Sequence, residues 1–272
     1  MEQILAAIDS WGASNATAAV VAADRVIVDR GDGSRPFAWA SITKLVTALA
    51  ALRSVEAGRL DLDEPAGPPG STLRHLLAHA SGLPFEGTEP ISPPERTRIY
   101  SNTGFDLIGR LLEERAGRAI ADVLETEVLG PLGMRGTALT GRPSAGMTGP
   151  LHDLVRLARE LLEPSLLRPA TLRLATNVAI PGLAGVLPGV GRFDPLDWGL
   201  GFELRDGKAP HWTGTRNSPQ TFGHFGGRGT FLWVDPDAGL ALACLTDREY
   251  GPWALEAWPA LSDAVLERFL GG

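Results

Sequence analysis

Residues 37–44 read FAWASITK, and from Ser41 onward the chain carries its strongest helical pattern. A helix is predicted over 41–56 because apolar residues recur at the 3.6-residue period: Ile42, Leu45, Val46, Leu49, Leu52 and Val55. Gly58 then favours a C-terminal stop. Ser41 and Lys44 stand at i and i+3, so hydroxyl and amine should meet on one helical face. Unpaired N–H groups at a helix start can also hold a developing oxyanion.

Lysine is rare in this chain, which gives the pair of Ser41 and Lys44 more weight. Of the 25 basic residues, only Lys44 and Lys208 are lysines. Arginine stays protonated, whereas a lysine amine can be tuned to accept a proton. Taken alone, however, the pair is equally compatible with a helix N-cap at Ser41 and a solvated lysine.

A second polar group stands directly before the helix predicted over 103–116: Tyr100, Ser101 and Asn102. A phenol whose pKa is lowered by neighbouring cations can serve as a general base. The Asn102 amide could hold a substrate carbonyl. The alternative is a loop tyrosine followed by a helix N-cap.

A third group is the run GHFGG at 223–227, which is predicted to be a glycine-rich bend before a strand at 230–234. Glycines let the backbone approach a ligand closely, and His224 could place a tunable donor beside the phenol of Tyr100. Such bends are otherwise common, so the order of the three groups along the chain carries the argument.

Ser-x-x-Lys, Tyr-x-Asn and His-x-Gly, in this order, resemble the three active-site motifs of the serine β-lactamases and penicillin-binding proteins. The branch with Tyr-x-Asn includes class C β-lactamases, D-amino peptidases and related serine esterases. The resemblance runs from about residue 11 to residue 269. It includes the segments GRLDLDEP (58–65), LRHLLAHASGLP (73–84), YSNTGFDLIG (100–109), PLGMRGT (131–137), WGLGF (198–202) and DPDAG (235–239).

The resemblance implies a role for each motif residue. Ser41 would attack a carbonyl and form an acyl-enzyme, while Lys44 and Tyr100 would share the removal and return of its proton. Asn102 would bind the substrate amide or carbonyl. The oxyanion hole would be formed by the backbone N–H groups of Ser41 and Gly227. The family needs no cofactor and no metal for this reaction.

The third motif departs from the family pattern, because His224-Phe225-Gly226 stands where Lys-Thr-Gly is usual. Phe225 cannot donate a hydrogen bond to a substrate carboxylate, and the chain is shorter than most relatives. An uncharged ester or amide is therefore the predicted substrate, with a carboxylesterase-type activity. The alternatives are a β-lactamase, a D-amino-acid peptidase or carboxypeptidase and, in a different class, a non-catalytic binding or assembly homologue.

The predicted fold is α+β of the β-lactamase/transpeptidase type, in one domain over 1–272. Strand signals lie near both ends of the chain, and helix signals fill the middle. An antiparallel sheet flanked by terminal helices should come from 1–58 and 185–272, and a helical lobe from 59–184. The predicted strands are 18–22, 26–29, 202–204, 230–234 and 240–245, and the further helices 2–11, 72–79, 103–116, 120–128, 151–162 and 253–270.

Charge and composition limit the classes of partner that we expect. The net charge of −7, without a basic run, predicts no nucleic-acid or anionic-membrane partner. No secretory signal is visible, and the single Cys244 excludes an internal disulfide, which together favour a cytoplasmic protein. His75 and His79, four positions apart, would suit a metal, but no acidic partner of the His-Glu type lies between them, so no metal is predicted.

Overall fold

The computed structural model describes the backbone of residues 3–270 and the side chains of residues 3–269. The strands in chain order are β1 (Ala16–Val21), β2 (Val26–Arg30), β3 (Phe37–Ala38), β4 (Arg98–Ile99), β5 (Ala138–Leu139), β6 (Met147–Gly149), β7 (Gly185–Leu187), β8 (Gly191–Phe193), β9 (Glu203–Leu204), β10 (Phe222–Gly226), β11 (Thr230–Asp235) and β12 (Leu240–Thr246). The α-helices are α1 (Thr43–Glu56), α2 (Leu73–Leu77), α3 (Asn102–Ala116), α4 (Ile120–Leu124), α5 (Gly130–Leu132), α6 (Leu151–Leu162), α7 (Pro169–Ala175) and α8 (Pro252–Leu270).

The largest sheet joins the two ends of the chain, as predicted. Its six strands lie in the order β2-β1-β12-β11-β10-β9, with antiparallel neighbours throughout. Ala18 of β1, for example, pairs with Cys244 of β12. Two further sheets of three strands each, β3-β6-β5 and β4-β7-β8, lie outside it. The α+β fold with an antiparallel sheet is thus confirmed.

Both faces of this sheet are covered, which explains the sequence of its central strands. Ala19 and Val21 belong to a core shared with α1, α3 and α6, whereas Ala18 and Val20 belong to a second core shared with α8. Strands β11 and β12 are therefore buried along their whole length and read as continuous apolar runs, without polar alternation. The division into two lobes at residues 59 and 184 stays a prediction.

Local predictions succeed where the sequence period is clear. The helix predicted over 151–162 is α6, and the hairpin predicted at 18–29 is β1 and β2. The helix predicted over 120–128 is shorter, because α4 continues as a π-helical turn at Glu125–Leu129. Residue 2 of the predicted helix over 2–11 lies outside the described residues, and the rest holds a 3₁₀ helix at Leu5–Ser10.

The predicted bend at 223–227 is wrong, because most of it forms the buried strand β10 between β9 and β11. Its glycines mark close packing. A side chain at Gly223 would meet the carbonyl oxygen of Leu232 at 2.0 Å, and one at Gly226 would meet that of Trp39 at 2.5 Å. No helix in the described part of the chain has the length and apolar character needed to cross a membrane.

Candidate active site

Ser41 lies in a 3₁₀ turn, Ala40–Ile42, that leads directly into α1. The turn is held from outside, because the carbonyl of Trp39 accepts the Thr230 hydroxyl at 3.0 Å and the Trp39 indole donates to Gly149. Ala40 has a φ of +49°, a left-handed conformation that alanine rarely adopts. The N-cap positions of this turn and of α1 are Trp39 and Ile42, so Ser41 is not the helix N-cap considered as the alternative. Its hydroxyl is available to other groups.

The Lys44 amine is the nearest basic group to that hydroxyl. Its Nζ lies 3.4 Å from Ser41 Oγ, 2.6 Å from Asn102 Oδ1 and 2.8 Å from the Ser144 carbonyl oxygen. The side chain is fully buried, and the loss of hydration lowers the pKa of Lys44 to about 7. A neutral amine has two N–H donors and one lone pair. Because Asn102 and Ser144 take the two donors, the lone pair is left for the proton of Ser41.

Tyr100 is buried beside Ser41. Burial raises the pKa of the Tyr100 phenol well above its ordinary value, and the nearby Ser41 hydroxyl offsets this only in part. The prediction of a phenol acidified by neighbouring cations is therefore wrong. Desolvation outweighs the Lys44 amine 4.8 Å from the ring centre. The phenol is protonated at neutral pH, so it can relay or donate a proton, whereas the Lys44 amine is able to accept one.

Burial also changes the ionisation of His224, which the sequence suggested as a tunable donor beside the phenol. Burial, followed by the charge of Lys44, lowers the pKa of His224 to about 3. Its Nδ1 donates to the Phe225 carbonyl at 2.7 Å, so Nε2 carries a lone pair and no proton. The imidazole of His224 is therefore neutral near pH 7 and does not place a cationic donor beside the phenol. The ring centres of His224 and Tyr100 are 5.8 Å apart.

His79 packs its ring against Tyr100 with centres 4.6 Å apart, a contact that the sequence did not reveal. Its Nδ1 accepts the N–H of Ser101, and burial holds its pKa well below the ordinary value. His75 instead bonds Thr72 and Glu95 at the start of α2. Within residues 3–269, no cluster of three or more His, Cys, Asp or Glu side chains is arranged to bind a metal ion.

Asn102, the first residue of α3, has both ends of its amide engaged. Its oxygen accepts from Lys44, and its Nδ2 donates to Glu86 Oε1 at 2.9 Å. The structure therefore ties this amide to Lys44 and to the Glu86 carboxylate, where the family resemblance implied a substrate contact. The N-cap of α3 is Ser101, whose hydroxyl accepts the N–H of Gly104 at 3.0 Å. A helix N-cap, the alternative function of residues 100–102, is therefore present beside Tyr100 and Asn102.

A cavity of about 220 Å³ opens onto Ser41. Phe225 and Tyr250 lie on its wall with ring centres 5.0 Å apart, and the Tyr250 hydroxyl donates to the carbonyl of Gly189, another lining residue, at 3.0 Å. Ser41 and Gly227 both line this cavity, as an oxyanion hole requires, and their role stays a prediction. Five residues that line the cavity were predicted from the sequence: Ser41, Tyr100, His224, Phe225 and Gly227. The other four, which no sequence motif indicated, are Phe85, Pro188, Gly189 and Tyr250.

Comparison with known proteins agrees with this geometry. The sequence model of the β-lactamase family matches residues 4–266. The chain belongs to the β-lactamase family. Members of this family are serine hydrolases, so the chain is an enzyme of that class. The non-catalytic alternative is thereby set aside.

Individual relatives of this β-lactamase-family chain carry different names. A β-lactamase of known structure from Mycobacterium bovis is 48% identical, with a TM-score of 0.96 over 98% of this chain and 99% of that one. Esterase EstB from Burkholderia gladioli is 24% identical over 85% of this chain and 82% of its own length. Penicillin-binding protein 4* of Bacillus subtilis is 30% identical over 39% of this chain, a match that spans only 31% of that protein.

The pKa of Lys44 predicts how catalysis depends on pH. With the neutral Lys44 amine in the role of base that the family resemblance implies, kcat/KM should rise with pH and reach half its plateau near pH 7. The raised pKa of Tyr100 adds no falling limb below pH 9, since its phenol stays protonated there. The measurement is kcat/KM for a p-nitrophenyl ester between pH 5.5 and 9, corrected for spontaneous hydrolysis. A flat profile would show that Lys44 does not change its charge in this range.

Proposed function

We propose that this enzyme hydrolyses small, uncharged carboxylic esters through an acyl intermediate on Ser41. The observation that carries the proposal is the chemistry of the cavity wall. None of its lining residues is an aspartate, glutamate, lysine or arginine, and its one histidine, His224, is neutral. A substrate carboxylate would lose its hydration there without gaining a charged partner, which is costly. An ester with an apolar acyl group meets Phe225, Phe85 and Tyr250 at no such cost.

The proposed reaction begins with attack of Ser41 Oγ on the ester carbonyl while the serine proton passes to the Lys44 amine. The carbonyl oxygen becomes an oxyanion, held by the N–H groups of Ser41 and Gly227. Collapse of this tetrahedral adduct breaks the ester bond. The departing alcohol takes a proton from the phenol of Tyr100, which Lys44 replenishes. Water then attacks the acyl carbonyl while Lys44 takes its proton; the bond between the acyl group and Ser41 Oγ breaks, the carboxylic acid leaves, and the proton passes to Ser41 Oγ.

Hydrolysis of β-lactams is the second candidate, because the M. bovis relative at 48% identity is named a β-lactamase. Both activities share the acyl-serine chemistry and differ in what the cavity must recognise. A β-lactam substrate brings a carboxylate, and the residues that usually hold it are replaced here by His224 and Phe225. Esterase EstB supports the first candidate by its name alone.

Steady-state kinetics on two chromogenic substrates separate these candidates. At pH 7.5, we expect kcat/KM for p-nitrophenyl butyrate to exceed that for nitrocefin by at least about 100-fold, or roughly 2.7 kcal/mol of transition-state preference. Phe225→Thr should narrow the ratio by restoring a hydroxyl, with thermal unfolding used to check that the variant stays folded. Equal efficiencies, or a preference for nitrocefin, would mean that a carboxylate is recognised by groups outside this cavity wall.

A further inference from the structure

A line of polar contacts leads from the Lys44 amine to the protein surface. Asn102 accepts from Lys44 through Oδ1 and donates through Nδ2 to Glu86. Arg142 then places two N–H groups on the Glu86 carboxylate, at 3.0 and 2.9 Å. Its Nε also donates to Asp106 of α3 at 2.7 Å. Glu86 and Arg142 are about half exposed, whereas Asn102 and Lys44 are buried.

We propose that the ion pair of Glu86 and Arg142, acting through Asn102 and the loop at 140–146, holds the Lys44 amine on the hydroxyl of Ser41. Both are positioning residues, since neither lies on the cavity. This positioning role rests on the proposed function only in requiring that Ser41 is the nucleophile that becomes acylated.

Glu86 fixes which way the Asn102 amide points. A carboxylate can only accept hydrogen bonds, so the atom of Asn102 that faces Glu86 must be the NH₂ group. The amide oxygen is then left to face Lys44, which needs an acceptor. Without the carboxylate, the amide could turn and present donors to an amine that is itself a donor. Lys44 would then lose its shortest contact, at 2.6 Å.

Arg142 governs the other acceptor of Lys44 as well. It belongs to the loop whose Ser144 carbonyl accepts from Lys44 at 2.8 Å and whose Pro143 carbonyl accepts from Thr47 of α1 at 2.7 Å. The bonds of Arg142 to Asp106 tie this loop to α3. One side chain therefore fixes both acceptors that occupy the N–H groups of a neutral Lys44.

Stability alone does not account for this arrangement. Exposed ion pairs contribute only about 0–1 kcal/mol to folding, so a pair at this site is not required to hold the protein together. The bonds of Arg142 and Asn102 lower the pKa of Glu86, so its carboxylate stays ionised at working pH. Because hydrogen bonds to an ionised group are stronger than neutral ones, the charged Glu86 carboxylate is well suited to orient the Asn102 amide.

The charges around Lys44 also predict a signature in pH. Glu86 and Asp106 favour the protonated amine and raise the pKa of Lys44, whereas Arg142 lowers it. The other titratable groups that face the amine, Tyr100, His79 and His224, are neutral. Neutralising Glu86 should therefore move the activity midpoint to lower pH, and neutralising Arg142 should move it to higher pH.

The test measures how fast Ser41 reacts with a fluorophosphonate probe between pH 5.5 and 9, by intact mass. This readout needs no natural substrate, so failure of the ester proposal would leave it usable. For Glu86→Gln we expect a plateau rate at least about tenfold lower and a midpoint lower by roughly 0.3 pH unit. Arg142→Gln should raise the midpoint by a similar amount. Arg142→Lys keeps the charge without the two-pronged contact, so it should lower the plateau at an unchanged midpoint.

Glu267→Gln is the matched control, since Glu267 of α8 forms an exposed ion pair with Arg216, with 3.4 Å between the two side chains. It should leave both plateau and midpoint as in the wild type. Thermal unfolding of each variant reports on folding, and the exposed side chains involved are replaced at little cost. Wild-type rates in Glu86→Gln, or midpoints that move in the same direction in the two neutralised variants, would overturn the proposal.

Discussion

Ser41→Ala should lower turnover of an activated ester by at least about 10⁴-fold while leaving the protein folded. Loss of the hydroxyl removes the covalent route, which no neighbouring group can replace. The fold should tolerate the change because Ser41 is the N-cap neither of its 3₁₀ turn nor of α1. Even a lost cap would cost only about 1 kcal/mol. Activity on p-nitrophenyl butyrate and thermal unfolding measure the two effects.

Ser10→Ala is a suitable control for this substitution, since Ser10 is exposed and bonds only the Ala7 carbonyl. Wild type and Ser10→Ala should take up one fluorophosphonate adduct at full occupancy, and Ser41→Ala none. Normal turnover or labelling in Ser41→Ala would place the nucleophile elsewhere. A large fall in its melting temperature would instead show that the turn at Ala40–Ile42 depends on the hydroxyl.

The second large effect concerns Lys44 and Tyr100. Lys44→Arg keeps a positive charge but cannot accept a proton, and Tyr100→Phe keeps the ring without the hydroxyl. Each should lower kcat by at least about 100-fold, the usual range for a proton-transfer group. Because the two groups act on the same serine proton, the loss in the double variant should be smaller than the product of the two single losses.

Tyr250→Phe provides a matched control, because Tyr250 is the other tyrosine of the chain and lines the same cavity. It loses only the bond to Gly189, so kcat should change by less than about tenfold. The measurement is single-turnover kinetics on the wild type, Lys44→Arg, Tyr100→Phe and their double variant, which form the double-mutant cycle, and on Tyr250→Phe as the control. If the losses at Lys44 and Tyr100 simply multiply, the two residues work independently and the relay is wrong.

Features set by neighbouring residues could be predicted from the sequence. The helix α6 and the hairpin of β1 and β2 follow from residues within a few positions of one another. The order of the three motifs likewise predicted the family and the fold class, which the structure and the comparisons confirm. The strand β10 was missed because its glycines indicate a bend locally.

Tertiary structure alone decided the protonation states and the shape of the site. The pKa of the Lys44 amine falls to about 7, and the phenol of Tyr100 stays protonated, because both are removed from water by segments distant along the chain. Asn102 lies 58 positions from Lys44, and Ser144 lies 100 positions away. The motif residues could therefore be identified from the sequence. Their charges depend on burial, and the proposed positioning by Glu86 and Arg142 and the uncharged cavity wall depend on contacts between distant segments that no local pattern encodes.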